Sequence, residues 1–140
     1  MFSSYVTERV VNELVENPDM AKLGGQRRQI TVLFSDIRGF TTYSEKRNPE
    51  EVVSILNEYL SEMTDIVFKW NGTLDKFVGD EIMAFWGAPL AQENHAELAV
   101  RCALHMIARL TELQERWIAE GKEPLDIGIG LNTGDVLVGN

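Results

Sequence analysis

Two short pieces hold the side chains best suited to chemistry: Phe34-Ser35-Asp36-Ile37-Arg38-Gly39-Phe40-Thr41 and Lys76-Phe77-Val78-Gly79-Asp80-Glu81. Each places an aspartate where an apolar, strand-like run gives way to a turn. A carboxylate there is held still by the strand while staying open to a ligand. Taken singly, Asp36 reads as a helix cap and Asp80 as ordinary turn chemistry. As a pair they read differently, because two carboxylates brought close cannot both stay ionised cheaply without a cation between them. Hard oxygen ligands of this kind suit magnesium or manganese. Glu81 reads as a solvated strand residue. Lys76, inside an otherwise apolar run, reads as an exposed-face charge.

The flanking segments must position these residues. Ile30 to Phe34 is β-branched and aromatic with almost no polar relief, which predicts a central strand buried on both faces, with Asp36 at its end. Gly39 allows a tight backbone course, and Phe40 to Ser44 begins a short helix whose free N–H groups suit phosphate oxygens. Asn48-Pro49-Glu50-Glu51 is a helix start. Val52, Leu56, Tyr59, Leu60, Met63, Val67 and Trp70 then form its core stripe, and Asn71-Gly72 closes it. Thr73 to Val78 and Glu81 to Trp86 are two strands separated by Gly79-Asp80, the spacing of a tight hairpin with Asp80 at its tip. If the first strand lies beside this hairpin, Asp36 and Asp80 converge.

Further on, a helix over about Glu93 to Glu120 stacks Ala99, Cys102, Ala103, Met106, Leu110, Leu113 and Trp117 on one side. Cys102 reads as a small core residue; His95 and His105 lack a metal-spacing partner and read as surface residues. Leu125 to Asn132 alternates large apolar residues with Gly or short polar ones, leaving a glycine face open to a ligand or another subunit. Thr133-Gly134-Asp135 predicts a turn before a last strand from Val136. At the other end, Val6, Val10, Val11, Leu14 and Val15 recur with helical period. Pro18 ends that helix, and 22–28 reads as a linker.

The chain has 140 residues, 44% apolar and 25% charged, enough for one globular core. A net charge of -9 without a basic cluster argues against nucleic acid as partner. A polyanionic ligand would need metal ions to approach. One cysteine precludes an intrachain disulfide and suits a reducing, cytoplasmic setting. No apolar run is long enough to span a bilayer.

In this order and spacing, the two pieces resemble the catalytic core of the class III nucleotide cyclases, the adenylyl and guanylyl cyclase family, from about Tyr5 to the last residue. The resemblance implies an α/β (α+β) fold, a ferredoxin-like or palm-like sheet, largely antiparallel, with helices packed against it. It implies residues 1–29 as an N-terminal helix and linker and 30–140 as catalytic domain. Asp36 and Asp80, with the Ile37 carbonyl, would hold two Mg2+ or Mn2+ ions, and amides around Gly39, Phe40 and Thr41 would line the phosphates. Lys76, four residues before the hairpin aspartate, corresponds to the purine-reading residue and is of the adenine-selecting type. ATP is then the substrate, cyclic AMP and pyrophosphate the products, and a head-to-tail homodimer the working form. An upstream regulatory or membrane domain is the family's usual arrangement. A second purine-reading residue and the Asn and Arg that act in the transition state would lie beyond Asn140.

Two competitors stand against this. A diguanylate cyclase has a similar hairpin, but Val78-Gly79-Asp80-Glu81-Ile82 carries one glycine and the Ser35 to Phe40 piece does not belong there. A catalytically silent nucleotide- or metal-binding module is the other.

Overall fold

The structure, a computed structural model, describes residues 26–138. The helix expected over Val6 to Val15, and most of the linker after it, lie outside the described residues. Seven elements follow one another: β1 (Gln26–Ile37), α1 (Phe40–Glu45), α2 (Pro49–Lys69), β2 (Thr73–Val78), β3 (Glu81–Trp86), α3 (His95–Ala119) and β4 (Ile127–Val138). The four strands form one sheet in the order β2-β3-β1-β4, and every neighbouring pair is antiparallel.

Local signals explain most of the element boundaries. Asn48 caps α2 through Oδ1, which accepts from the Glu51 amide at 2.9 Å, and Pro49 occupies the first turn where its missing N–H costs nothing. Asn71, at φ 62°, reverses the chain after α2. The next residue must be glycine, because a Cβ on Gly72 would meet the Trp86 ring at 2.7 Å and Val67 at 2.8 Å. β2 and β3 form the hairpin with Gly79-Asp80 at its tip, Val78 pairing with Glu81 and Gly79 taking φ 62°.

The core lies between the sheet and the two long helices. Leu33, Ile37, Leu74, Ile82, Ala84 and Trp86 meet Ile55, Tyr59, Met63, Ile66 and Val67 of α2, and Ala99, Cys102, Met106, Leu110, Leu113 and Trp117 of α3. The α2 stripe is thus rotated slightly from the sequence expectation. Ile55 and Ile66 are buried, while Val52, Leu56, Leu60 and Trp70 sit at its half-buried margin. Cys102 is a core residue as expected, and burial pushes its thiol up to about 12, which keeps it an unreactive thiol.

Four expectations are corrected. β1 is central in the sheet but not buried on both faces: Thr31, Leu33 and Ser35 are buried, whereas Phe34 is 49% exposed and Asp36 is exposed. The core helices pack on one face, so the other stays open. β4 does not turn at Thr133-Gly134-Asp135. It runs straight through, Thr133 pairing with Thr31 and Asp135 with Gln29, because β1 reaches back to Gln26 and offers backbone partners along that whole length. Residues 26–28, expected in the linker, are therefore strand. Finally, the histidines are not surface residues. His95 is buried with Nδ1 at 2.7 Å from Thr31 Oγ1, which also bonds Thr133 Oγ1 at 2.7 Å. His105 is half-buried and accepts from Trp70 Nε1 at 3.0 Å.

Candidate active site

The end of β1 and the tip of the β2–β3 hairpin meet. Because β1 pairs with β3, the hairpin tip is carried to the point where β1 ends, and Asp80 Oδ2 accepts from the Ile37 amide at 2.9 Å. The second carboxylate is therefore fastened to the residue that follows the first. Asp36 caps no helix: the N-cap of α1 is Gly39, which takes φ 62°. The α1 backbone follows at once, and its first-turn N–H groups have no intrahelical acceptor.

On the open face, Asp36 stands in a cavity of about 320 Å³ lined also by Phe34, Arg38, Glu81, Gly128 and Gly130. Gly128 pairs with Asp36 and Gly130 with Phe34, so the glycine face anticipated for β4 is the wall of this cavity. A Cβ on Gly128 would lie 3.2 Å from Arg38 Nη2 and 3.4 Å from Asp36 Oδ1. Glycine there leaves the carboxylate and the guanidinium room to converge on a ligand. Asp80 does not line this cavity; it is engaged with the Ile37 amide at its side.

Sequence reasoning missed Arg38 and set Glu81 aside. Arg38 Nε donates to the Ile127 carbonyl at 3.3 Å, and the guanidinium makes no ion pair among the described residues. It is a free cation beside a carboxylate in an acidic protein. Only the register of β4 against β1 brings it to Gly128; no motif spacing announces that.

Lys76 also lies on the open face, for a reason invisible in the pattern. A one-residue shift between Leu74 and Lys76 makes Leu74 pair with the buried Ala84 and Lys76 with the half-exposed Met83. Two residues apart on a regular strand they would share the covered face; the bulge turns the lysine outward. Its ammonium makes no ion pair with Asp36 or Asp80, lying instead 3.9 Å from Asp75. Within one chain, then, Asp80 is fastened to the residue that follows Asp36, and the Lys76 ammonium makes no ion pair with either aspartate.

In the core, on the covered side of the sheet, Tyr59 is fully buried. Burial pushes its phenol up to about 12; Ser35 opposes the shift, and the charges of Asp80 and Asp36 add to it. The phenol is thus neutral at physiological pH.

Carboxylates at a strand end and a hairpin tip are hard oxygen donors of the kind that suit a divalent cation. No group of three or more His, Cys, Asp or Glu side chains gathers among the described residues.

The sequence profile of the adenylate and guanylate cyclase catalytic domain matches residues 25–140. This chain belongs to that family. Over 139 residues, 99% of the chain, it is 37% identical to adenylate cyclase 1 of Rhizobium meliloti, of which it covers 21%. Among solved structures it resembles the adenylyl cyclase CyaB from P. aeruginosa, with a TM-score of 0.81 and 45% identity over 84% of this chain and 62% of that one. The guanylyl cyclase Cya2 is as similar, with a TM-score of 0.80 and 48% identity over 84% of this chain and 60% of that one. The antiparallel sheet with helices against it is the palm-like fold of these catalytic domains. The chain spans about a fifth of the length of that curated relative. Cyclase domains of this kind are generally metal-dependent. No helix among the described residues is long and apolar enough to cross a membrane.

Proposed function

We propose that this chain is the metal-holding and purine-reading part of an adenylate cyclase, converting ATP to 3′,5′-cyclic AMP and pyrophosphate. The observation that supports the reading is the hydrogen bond from the Ile37 amide to Asp80 Oδ2, which fastens the Asp80 carboxylate to the residue that follows Asp36. Asp36, Asp80 and the Ile37 carbonyl would hold two ions, Mg2+ or Mn2+. When bound, the ions supply Lewis-acid charge neutralisation. The protein's own part is positioning. The two strand ends set the carboxylates, the amides of Gly39, Phe40 and Thr41 face the phosphates, and Gly128 keeps the cavity open. With the ribose 3′ oxygen held in line with the α-phosphorus, orientation and fixed charge provide most of the acceleration.

Likeness to relatives named for either purine does not choose the substrate; Lys76 supports ATP. Its ammonium, an obligate donor, suits the acceptor nitrogen of adenine, and the outward bulge leaves it free to meet a nucleotide held by a partner's aspartates. A head-to-tail homodimer follows, with the open sheet face as its contact surface. Phe34 is 49% exposed there, with Val32, Met83 and Phe85 half-exposed around it. We assign residues 1–29 to a coupling helix and linker, of which 26–29 join the sheet, and the remainder to the cytoplasmic catalytic unit of a longer protein.

The test is product identification from Mn-ATP and Mn-GTP with the full chain. Cyclic AMP as the main product supports the reading. Cyclic GMP overturns the Lys76 assignment, and no product from a folded dimer favours a silent binding module. In the same assay, Lys76→Glu replaces a donor by an acceptor where the purine is read. It is expected to lower the ATP-to-GTP ratio of kcat/KM by about 100-fold or more, since a site built for a hydrogen bond discriminates strongly when that bond is mismatched. Gly128→Val fills the cradle between Arg38 and Asp36. Its turnover is expected to fall about 100-fold, the scale of an ångström-level misplacement, while the far-UV circular dichroism of the chain stays native.

A further inference from the structure

Among the described residues, Arg38 is the one cationic side chain lining the cavity in which Asp36 stands. An exposed arginine ordinarily keeps much of its rotamer freedom, but this one is tied at two points to the start of β4. Its amide donates to the Asp126 carbonyl at 2.8 Å, and its Nε donates to the Ile127 carbonyl at 3.3 Å. The tether sets the rest of the guanidinium against Gly128, where Nη2 and Asp36 Oδ1 lie 3.2 Å and 3.4 Å from the place a Cβ would take. Glycine there keeps the space between them empty. Asp36 and Glu81 both line the cavity, yet the guanidinium forms an ion pair with neither, and its two Nη groups make no hydrogen bond among the described residues. The contrast with the other arginines is informative: Arg47, Arg101, Arg109 and Arg116 each hold a glutamate. In a chain of net charge -9, a fixed cation left unpaired between two acids is one reserved for a ligand anion.

We propose that Arg38 binds the outer phosphates of the nucleotide, and the pyrophosphate that leaves, through its two Nη groups. The inference rests on the two-carboxylate cation site proposed above and names the residue that holds the polyphosphate beside it. Two divalent ions, partly neutralised by the carboxylates that hold them, do not offset the charge of a triphosphate, and Lys76 is assigned to the purine. A further cation is needed, and Arg38 is the one in place. Its planar fork presents paired N–H donors whose spacing matches phosphate oxygens. With Nε committed to Ile127, Nη1 and Nη2 are the donors left for the ligand. The same tether keeps the guanidinium from collapsing onto Asp36, which leaves that carboxylate for an ion. Arg38 makes and breaks no bond: it keeps its protons and donates hydrogen bonds to oxygens that are charged in substrate and product alike.

The experiment titrates the full chain by calorimetry with inorganic tripolyphosphate in the presence of Mn2+ and, separately, with Mn2+ alone, and takes a urea midpoint for each variant. Arg38→Gln is expected to weaken tripolyphosphate binding by about 10-fold or more, the scale of hydrogen bonds to a charged group. Binding of Mn2+ alone should stay equal or become tighter, because a neighbouring positive charge has been removed. A merely structural role would lower both affinities together. Arg38→Lys keeps the charge but loses the fork, and its tripolyphosphate affinity should fall between those of the parent protein and Arg38→Gln. A folded Arg38→Gln variant that binds tripolyphosphate as tightly as the parent would overturn the proposal while leaving the cation site standing, and so would a parallel fall in both affinities. A parent protein that binds Mn2+ but no tripolyphosphate would also overturn it; one that binds neither would overturn the cation site as well. Should Arg38→Gln fail to fold, Arg38→Lys decides by the same two titrations: weaker tripolyphosphate binding with Mn2+ binding unchanged supports the role, and both unchanged overturns it.

Discussion

Asp80→Asn is expected to reduce cyclic nucleotide formation by about 1,000-fold or more with little change in fold. The substitution separates two jobs of one side chain. An asparagine still offers a carbonyl oxygen to the Ile37 amide, so the contact that docks the hairpin on β1, now 2.9 Å long, survives. What is lost is the negative charge that, in the proposed function, draws a divalent ion. Metal-ion stabilisation of developing charge is worth several kcal/mol, and each ~1.4 kcal/mol is a factor of ten in rate, which sets the size of the effect. Asp36→Asn should behave alike, and the double variant should cost little more than either single one, because the two carboxylates act as a unit. Steady-state rates with Mn-ATP and an unchanged urea midpoint are the measurements. Retention of a tenth of the activity in either variant would mean that the pair does not hold the ions.

Trp86→Ala should have the largest effect on stability. Trp86 is fully buried at the end of β3, and its Nε1 donates to the Trp70 carbonyl at 2.9 Å. It ties the last residue of the hairpin to the end of α2, and Gly72 is shaped around its ring. Removing it leaves a large cavity and an orphaned carbonyl. Truncations of this kind cost about 3–5 kcal/mol, against total stabilities of about 5–15 kcal/mol. Equilibrium unfolding in urea should show the loss as a midpoint lower by about 2 M at ordinary slopes. Asp80 rides on the same hairpin, so metal affinity should fall in parallel even below the unfolding transition. A loss under 1 kcal/mol would mean the ring is not the hairpin's anchor.

Both effects trace to features of different legibility. The amino-acid order determined everything that depends on neighbours close along the chain. Asn48-Pro49 starts α2, and Gly79-Asp80 turns the hairpin. Asp36 and Asp80 fall at strand ends, and Cys102 and Trp117 belong to the apolar stripe of α3. These are matters of backbone preference, capping and side-chain period, which act over a few residues. Only the tertiary structure decided which face each residue shows. The open face of β1 follows from helices packing on one side of the sheet, and no property of Ile30 to Phe34 encodes that. β4 continues through Thr133-Gly134-Asp135 because a distant strand supplies its hydrogen bonds. His95 is buried because Thr31, far away in the chain, receives it. Lys76 turns outward at a bulge, and Arg38 reaches Gly128 across a register set by twelve paired residues. Proximity across the core is a sum over many distant contacts rather than a property of any local stretch.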